Sequence, residues 1–269
     1  MKKRTFSCVL MVFVMLVSAQ ALLFARGNAD KPVESANPPV TIMVAAAASL
    51  EYSYTQELIP LFQKKYPWIT VEGTYDSSGR LQTQIEQGLE ADVFMSAAAR
   101  QMNVLVDSNL VSKESVIPLL ENKIVLIKPT GSSTEVTGFQ NATQARVIAL
   151  GDPASVPAGQ YAKEAFTALG NWSAVEAKAS FGTNVTEVLN WVGEGSAEVG
   201  VVYATDAATT GKVEVIAEAP AGSLSTKVIY PVGMVAASDH PQEARLFIDF
   251  LASDEGLAIF QTYGFFPNK

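Results

Sequence analysis

Cysteine and histidine occur once each in this 269-residue chain, and that scarcity removes whole classes of chemistry. Cys8 has no second cysteine to pair with, so neither an intrachain disulfide nor a thiolate metal cluster can form. His240 stands immediately before Pro241. A Ser-His-Asp hydrolase needs a positioned imidazole base, and no G-x-S-x-G turn is present to present a nucleophile. Asp152 and Asp206 remain as an imaginable carboxylate pair, but both occupy turn contexts (GDP and TDA) in which Asp bonds its own backbone. An enzyme is therefore not expected. Positive charge is scarce as well: 19 Lys and Arg against 27 Asp and Glu leave a formal net charge of −8. Nucleic acid and anionic membrane surfaces reward the opposite balance.

What is present begins with an address. Lys2-Lys3-Arg4 precede an apolar stretch from Cys8 to Ala25, with small residues at Ala19, Ala21 and Ala25 as cleavage points. Residues 1–25 thus read as a secretory signal peptide; left uncleaved, the segment would anchor the protein in the membrane. No small-residue lipobox precedes Cys8, so lipid attachment there is not expected. Residues 26–39 (RGNADKPVESANPP) read as a disordered spacer.

From Val40 onward, short apolar strands alternate with amphipathic helical segments. VTIMVAAA (40–47), ITVEGTY (69–75), ADVFMSA (91–97), KIVLIK (123–128), RVIALGD (146–152), AEVGVVY (197–203), VEVIAEA (213–219) and TKVIYPVGMVA (226–236) are the strand candidates. That alternation predicts an α/β protein with largely parallel sheets. No repeat is visible.

The most informative run is GDPASVPAGQYAKEAF (151–166). A strand ends, a short loop follows, and a helix opens at Val156-Pro157-Ala158-Gly159. Proline at a first helical turn needs no hydrogen bond from its nitrogen. Small neighbours leave the adjacent N–H groups uncovered at the positive end of the helix dipole, which suits an anion. Three similar constructions recur: AAAASL (45–50), with Ser49 expected at an N-cap; Asp76-Ser77-Ser78-Gly79-Arg80; and Asn184-Val185, with Tyr203 near the end of a following strand. Each alone is more often a cap than a binding site. Together they lie at the carboxyl ends of strands, where α/β sheets place ligands. Their donors are hydroxyls and amides, the wrong set for a hard cation. Arg80, the one charged donor among them, is expected to be solvated or paired with a carboxylate.

These motifs resemble the periplasmic molybdate-binding proteins of ABC importers. The likeness runs from Val40 to Phe266 and is densest in AAAASL, DSSGRL, GDPASVPAGQYAKEA, GVVYATDA (200–207) and YGF (263–265). It implies a type II periplasmic binding protein fold, in which two α/β lobes joined by two crossover strands hold an oxyanion in the cleft between them. Lobe I would comprise 40–121 and 227–269, and lobe II 122–226, with crossings near Glu121-Asn122 and Thr226-Lys227. The ligand contacts implied are Ser49, Ser78, Ala158, Val185 and Tyr203, with molybdenum present only as the bound oxyanion and no cofactor. Molybdate, and with it tungstate, is the ligand implied; another tetrahedral oxyanion such as sulfate is the alternative, since donor chemistry does not separate them. A membrane permease is the implied partner, the periplasm the implied location, and a monomer the expected state. With hydroxyls and amides as the only contacts, affinity should be nearly flat between about pH 5 and 8, wherever the monomeric dianion persists.

Overall fold

A computed structural model describes residues 37–268. The signal segment, Cys8 and the spacer through Ala36 lie outside the described residues; Asn37, Pro38 and Pro39 are exposed and irregular. Among the described residues no helix is long and apolar enough to cross a membrane.

Two sheets organise the chain. In the first, strands run in the order β11-β4-β10-β3-β1-β2, where β1 is Val40–Ala47, β2 Ile69–Asp76, β3 Val93–Met95, β4 Ile117–Asn122, β10 Val228–Met234 and β11 Phe266–Pro267. The second has the order β7-β6-β8-β5-β9, with β5 Ile124–Pro129, β6 Ile148–Gly151, β7 Ala179–Gly182, β8 Val199–Tyr203 and β9 Val213–Glu218. Only Lys123 separates β4 from β5, so the chain leaves the first sheet for the second across one residue. It returns in the stretch between β9 and β10.

The expectation of largely parallel sheets is corrected. Strand β1 pairs parallel with β2 and β3, and β6 parallel with β7 and β8. The strands flanking the two passages run the other way: β10 is antiparallel to β3 and β4, and β5 to β8 and β9. Each sheet is mixed because a chain that leaves one sheet and returns inserts strands without a helical crossover.

Helices cover both faces of the first sheet, which is why β1 reads as nearly continuous apolar sequence. Its Ile42, Val44 and Ala46 face one core, while Met43 and Ala45 face another. On the first face lies α1 (residues 48–65), which starts as a 3-10 turn, Ala48–Leu50, and widens to a π turn at Tyr54–Leu58. Tyr54 and Phe62 of α1 meet Phe247 of α8 (Pro241–Ala252) with ring centroids 6.0 and 4.9 Å apart, and Phe260 of α9 (Asp254–Thr262) closes the cluster. Burial of each such ring contributes about 1.5–3 kcal/mol. The other face is covered by α2 (Ser78–Glu86) and α3 (Ala99–Asp107), through Leu81, Ile85, Met102 and Leu105.

Over the second sheet pack α4 (Pro157–Ala168), α5 (Trp172–Glu176) and α6 (Val185–Gly193), with α7 (Ala204–Ala208) following β8. Phe139 and Phe166 meet at 5.2 Å in that core. Strands β4, β7 and β11 and helix α5 were not expected from the sequence.

Candidate functional site

All four anion-type constructions converge where the two sheets face each other. One small cavity is lined by Ser49, Ser78, Ala158, Val185 and Tyr203, together with Ala47, Ala48, Asp76, Ser77, Ala97, Val156 and Pro157. No Lys, Arg or His is among these residues. The cavity measures about 10 Å³, the room of roughly one water molecule. Its walls therefore stand almost in contact.

Local geometry explains the donors. In α4, Val156 caps the helix, Pro157 takes the first position, and helical bonding starts with the Gln160 amide donating to Val156 O at 3.0 Å. The amides of Ala158 and Gly159 are left without an acceptor inside the helix. Glycine is required at this turn, because a Cβ on Gly159 would overlap the carbonyl oxygen of Gly151. In α6, the Asn184 side chain caps the helix by accepting from the Glu187 amide at 3.0 Å, and Val185 is the first residue. In α2, Ser77 is the cap residue and Ser78 the first residue. Those N–H groups all sit at the positive ends of helix dipoles.

Ser49 departs from expectation. It is not an N-cap: Ala47 precedes the 3-10 turn and Ser49 lies inside it, with no side-chain capping bond. Its hydroxyl instead meets Tyr230 Oη at 2.9 Å. The buried Ser78 hydroxyl accepts from the Ala97 amide at 2.9 Å, which leaves its own proton free for the cavity. Tyr203 ends β8, and its hydroxyl donates to Ala97 O at 3.2 Å. Burial pushes the Tyr203 phenol well above its ordinary pKa, with Tyr230 and Tyr161 adding to the effect, so it remains a donor at neutral pH.

Three ionisable groups, Asp76, Arg80 and Asp206, stand near the cavity. Asp76 lines it, but its carboxylate accepts from the Ser77 amide at 2.7 Å and from Asn184 Nδ2 at 3.4 Å, and pairs with Arg80 at 3.5 Å. Arg80, half exposed, is thereby turned toward Asp76, and it does not line the cavity. Asp206 is buried behind Tyr203, whose amide it accepts at 3.1 Å; desolvation raises its pKa to about 7. Asp152 accepts from the Ala154 amide at 2.9 Å, an Asx-type turn. The two aspartates thus bond backbone and do not form a carboxylate pair.

Sequence reasoning passed over four participants. Ser77 was noted in the Ser-Ser-Gly turn but not as a site residue, yet its buried hydroxyl lines the cavity without a hydrogen-bond partner. Ala97 bonds Ser78 through its amide and Tyr203 through its carbonyl. Asn122 and Tyr230 stand behind Ser49 and carry no local motif. Hydrogen bonds tie the residues of the first sheet to those of the second: Tyr203 to Ala97, Gly79 N to Ser155 O at 2.9 Å, Asn184 to Asp76, Gln101 to Gln160 at 3.2 Å, and, beside the passage, Asn122 to Thr205 at 2.9 Å.

Elsewhere a larger cavity of about 510 Å³ is lined by Glu86, Glu90, Asp92, Asp239 and His240, among others. Its carboxylates would repel an anion. Among the described residues no group of three or more His, Cys, Asp or Glu could hold a metal ion.

Residues 42–266 match the family of bacterial extracellular solute-binding proteins. The chain belongs to that family. Such proteins bind solutes and do not transform them. A Bacillus subtilis protein provisionally named an ABC transporter substrate-binding lipoprotein is 39% identical over 254 residues, 94% of this chain and 96% of that one. The molybdate-binding protein ModA of Haemophilus influenzae is 34% identical over 236 residues, 86% of this chain and 91% of the relative. Among solved structures, the substrate-binding domain of a Clostridium difficile protein, provisionally titled a molybdenum ABC transporter, aligns with a TM-score of 0.66 and 33% identity, covering 86% of this chain and all of that one. The two-lobed periplasmic binding protein fold and the resemblance to molybdate-binding proteins of ABC transporters are both upheld by these matches.

Proposed function

We propose that this protein captures molybdate, and tungstate with it, and presents the anion to the membrane permease of an ABC importer. The observation that carries the reading is the cavity itself: small, and lined by uncharged donors at Ser49, Ser78, Ala158, Val185 and Tyr203. A dehydrated dianion is satisfied there by oriented neutral dipoles. Each hydrogen bond to a charged group contributes about 1.5–3 kcal/mol, so several together offset lost hydration without a lysine. Ser77 is a further donor of the same kind.

A tetrahedral oxyanion is larger than the cavity, so capture needs the walls to part and close again. The hinge in this reading is the double passage near Asn122 and Thr226-Lys227, with lobe I formed by 40–121 and 227–269 and lobe II by 122–226. Contacts from both lobes make closure depend on the ligand. The protein works as a monomer in the periplasm after export directed by residues 1–25, and it needs no cofactor, since molybdenum enters only as cargo.

The test is titration calorimetry against molybdate, tungstate, sulfate and phosphate. The reading expects tight binding of the first two and weak binding of the others. Sulfate binding as tightly as molybdate would install the alternative ligand, and no response to any of the four would overturn the anion site.

A further inference from the structure

The hydroxyl of Ser49 is one end of a chain of hydrogen bonds whose direction is set at the passage between the sheets. The Lys123 amide donates to Asn122 Oδ1 at 2.8 Å. That bond fixes which end of the Asn122 amide is oxygen, so its nitrogen must face the other way. Its two N–H groups are then both committed, one to Thr205 Oγ1 at 2.9 Å and one to Tyr230 Oη at 3.2 Å. Tyr230 is fully buried. Among the described residues its hydroxyl has two partners of good geometry, Asn122 and Ser49, and the Tyr203 hydroxyl lies nearby. Since Asn122 can only donate, the phenol proton must go to Ser49 Oγ, 2.9 Å away. The reverse arrangement, with Ser49 donating to Tyr230, would leave a buried phenol proton without a well-placed acceptor. Ser49 therefore receives from Tyr230, and its own proton points elsewhere; the cavity it lines is where a proton acceptor would sit.

We propose that Tyr230, oriented by Asn122, is a positioning residue that fixes Ser49 as a hydrogen-bond donor to the oxyanion, and so selects anions that carry no proton. This rests on the oxyanion reading above. Ser78 reaches the same state by a different route, since the Ala97 amide fills its acceptor side. A donor-only wall suits molybdate or sulfate, whose oxygens only accept. Hydrogen phosphate brings a proton that needs an acceptor, and the Asp76 carboxylate is already engaged by Ser77, Asn184 and Arg80. Asn122 also places the relay at the hinge: it stands at the end of β4 and bonds Thr205 on α7 as well as Tyr230 on β10. Burial holds the Tyr230 phenol well above its ordinary pKa, so the relay does not break by ionisation at neutral pH.

Two substitutions test the direction of the chain. Tyr230→Phe removes the relay and keeps the ring on Tyr203 and Phe265, whose centroids lie 5.4 and 5.3 Å away. Molybdate affinity should fall about tenfold, and the preference for molybdate over hydrogen phosphate should narrow, because the freed Ser49 hydroxyl can also accept. Asn122→Asp replaces a donor by an acceptor. Tyr230 would then donate to that carboxylate, Ser49 would turn its proton to Tyr230, and the molybdate loss should exceed that of Tyr230→Phe. Since the new charge also acts through space, the double variant decides. In the Tyr230→Phe background the Asn122→Asp change should lose most of its effect. An equal effect in both backgrounds overturns the relay, as does Tyr230→Phe with wild-type affinity and an unchanged molybdate-to-phosphate ratio. Should Asn122→Asp fail to fold, judged by its melting curve, the ratio in Tyr230→Phe decides alone. Ser78→Ala separates the two readings. If it weakens molybdate while Tyr230→Phe does not, the relay falls and the anion site stands; if the wild type binds no oxyanion, both fall.

Discussion

The hydroxyl of Tyr203 donates to the carbonyl oxygen of Ala97, 3.2 Å away and 106 residues back in the chain. Ala97 follows β3 of the first sheet and Tyr203 ends β8 of the second, so this bond crosses the cleft at the cavity wall. The amide of the same alanine donates to Ser78. An oxyanion entering here competes with Ala97 for the Tyr203 proton, and an anion is the stronger acceptor.

Tyr203→Phe is therefore expected to weaken molybdate binding about ten- to a hundredfold, the loss of one charge-assisted bond. Stability should change by no more than about 1 kcal/mol, since the ring stays packed against Tyr230 and only one neutral hydrogen bond is lost. Calorimetric titration and a thermal melt on the same sample check both halves. Wild-type affinity would remove Tyr203 from the ligand set.

Closure itself can be blocked at Gly79. Its amide donates to Ser155 O, and a Cβ at this position would overlap the Ser155 backbone. Gly79 lies in the first turn of α2, where alanine is the better helix former by roughly 0.8–1 kcal/mol. Gly79→Ala should leave the melting temperature unchanged or raised while molybdate affinity falls more than tenfold. Small-angle scattering with saturating molybdate would show the variant more extended than the wild type. A compact, tightly binding Gly79→Ala protein would mean that the two backbones can slide past each other.

How much of this was legible beforehand varies by kind of feature. Strand β1 is found where VTIMVAAA places it, because alternating apolar residues buried on both faces leave a strong local signature. The helix starts at Pro157 and Val185 were legible for the same reason: Pro at the first position and Asn184 as cap act within a few residues. Strand β4 was missed because Pro118 weakens its pattern and only Lys123 separates it from β5. Strand direction was misjudged because it depends on where the chain returns, which no local pattern encodes. The position of Ser49 was misread as an N-cap for a similar reason. Its partner Tyr230 is 181 residues away, and nothing near AAAASL points to it. The five residues drawn from the family likeness meet at one cavity; Asn122 and Tyr230 behind them depend on tertiary packing alone.

Alanine at the two serines separates support of the fold from support of the ligand. Ser49 makes no helix cap, but its hydroxyl accepts from the buried Tyr230, so Ser49→Ala should cost affinity about ten- to a hundredfold and in addition about 1–3 kcal/mol of stability from the unpaired phenol. Ser78→Ala should lose a similar factor, and in addition about 0.5–1.5 kcal/mol of stability from the broken bond to Ala97. Arg80→Ala is the control. Its guanidinium is half exposed and faces Asp76, so affinity should change by well under tenfold. Calorimetry on the three variants decides. A collapse confined to Arg80→Ala would mean that a fixed positive charge, not a set of neutral donors, holds the anion.

Asp206 makes the protein more sensitive to pH than the list of donors alone implies. Desolvation raises its pKa to about 7, from the ordinary carboxylate value of about 3.9 in an unfolded chain. Between those values the folded protein holds a proton that the unfolded chain has released. Stability must then fall as pH rises through that window, and the contribution levels off above pH 7. Three pKa units correspond to at most about 4 kcal/mol. Asp206→Asn keeps an acceptor for the Tyr203 amide and removes the titration. Its stability relative to wild type should rise from about pH 4 to pH 7 and then stay level, measured by urea unfolding across that range. Ligand binding should follow the same sign. A dianion closing over Tyr203 makes ionisation of Asp206 harder, so binding takes up protons, and molybdate affinity should decline above pH 7 in the wild type but not in Asp206→Asn. Parallel stability curves for the two proteins would show that Asp206 titrates as an ordinary carboxylate, and the original expectation of pH-independent binding would then stand.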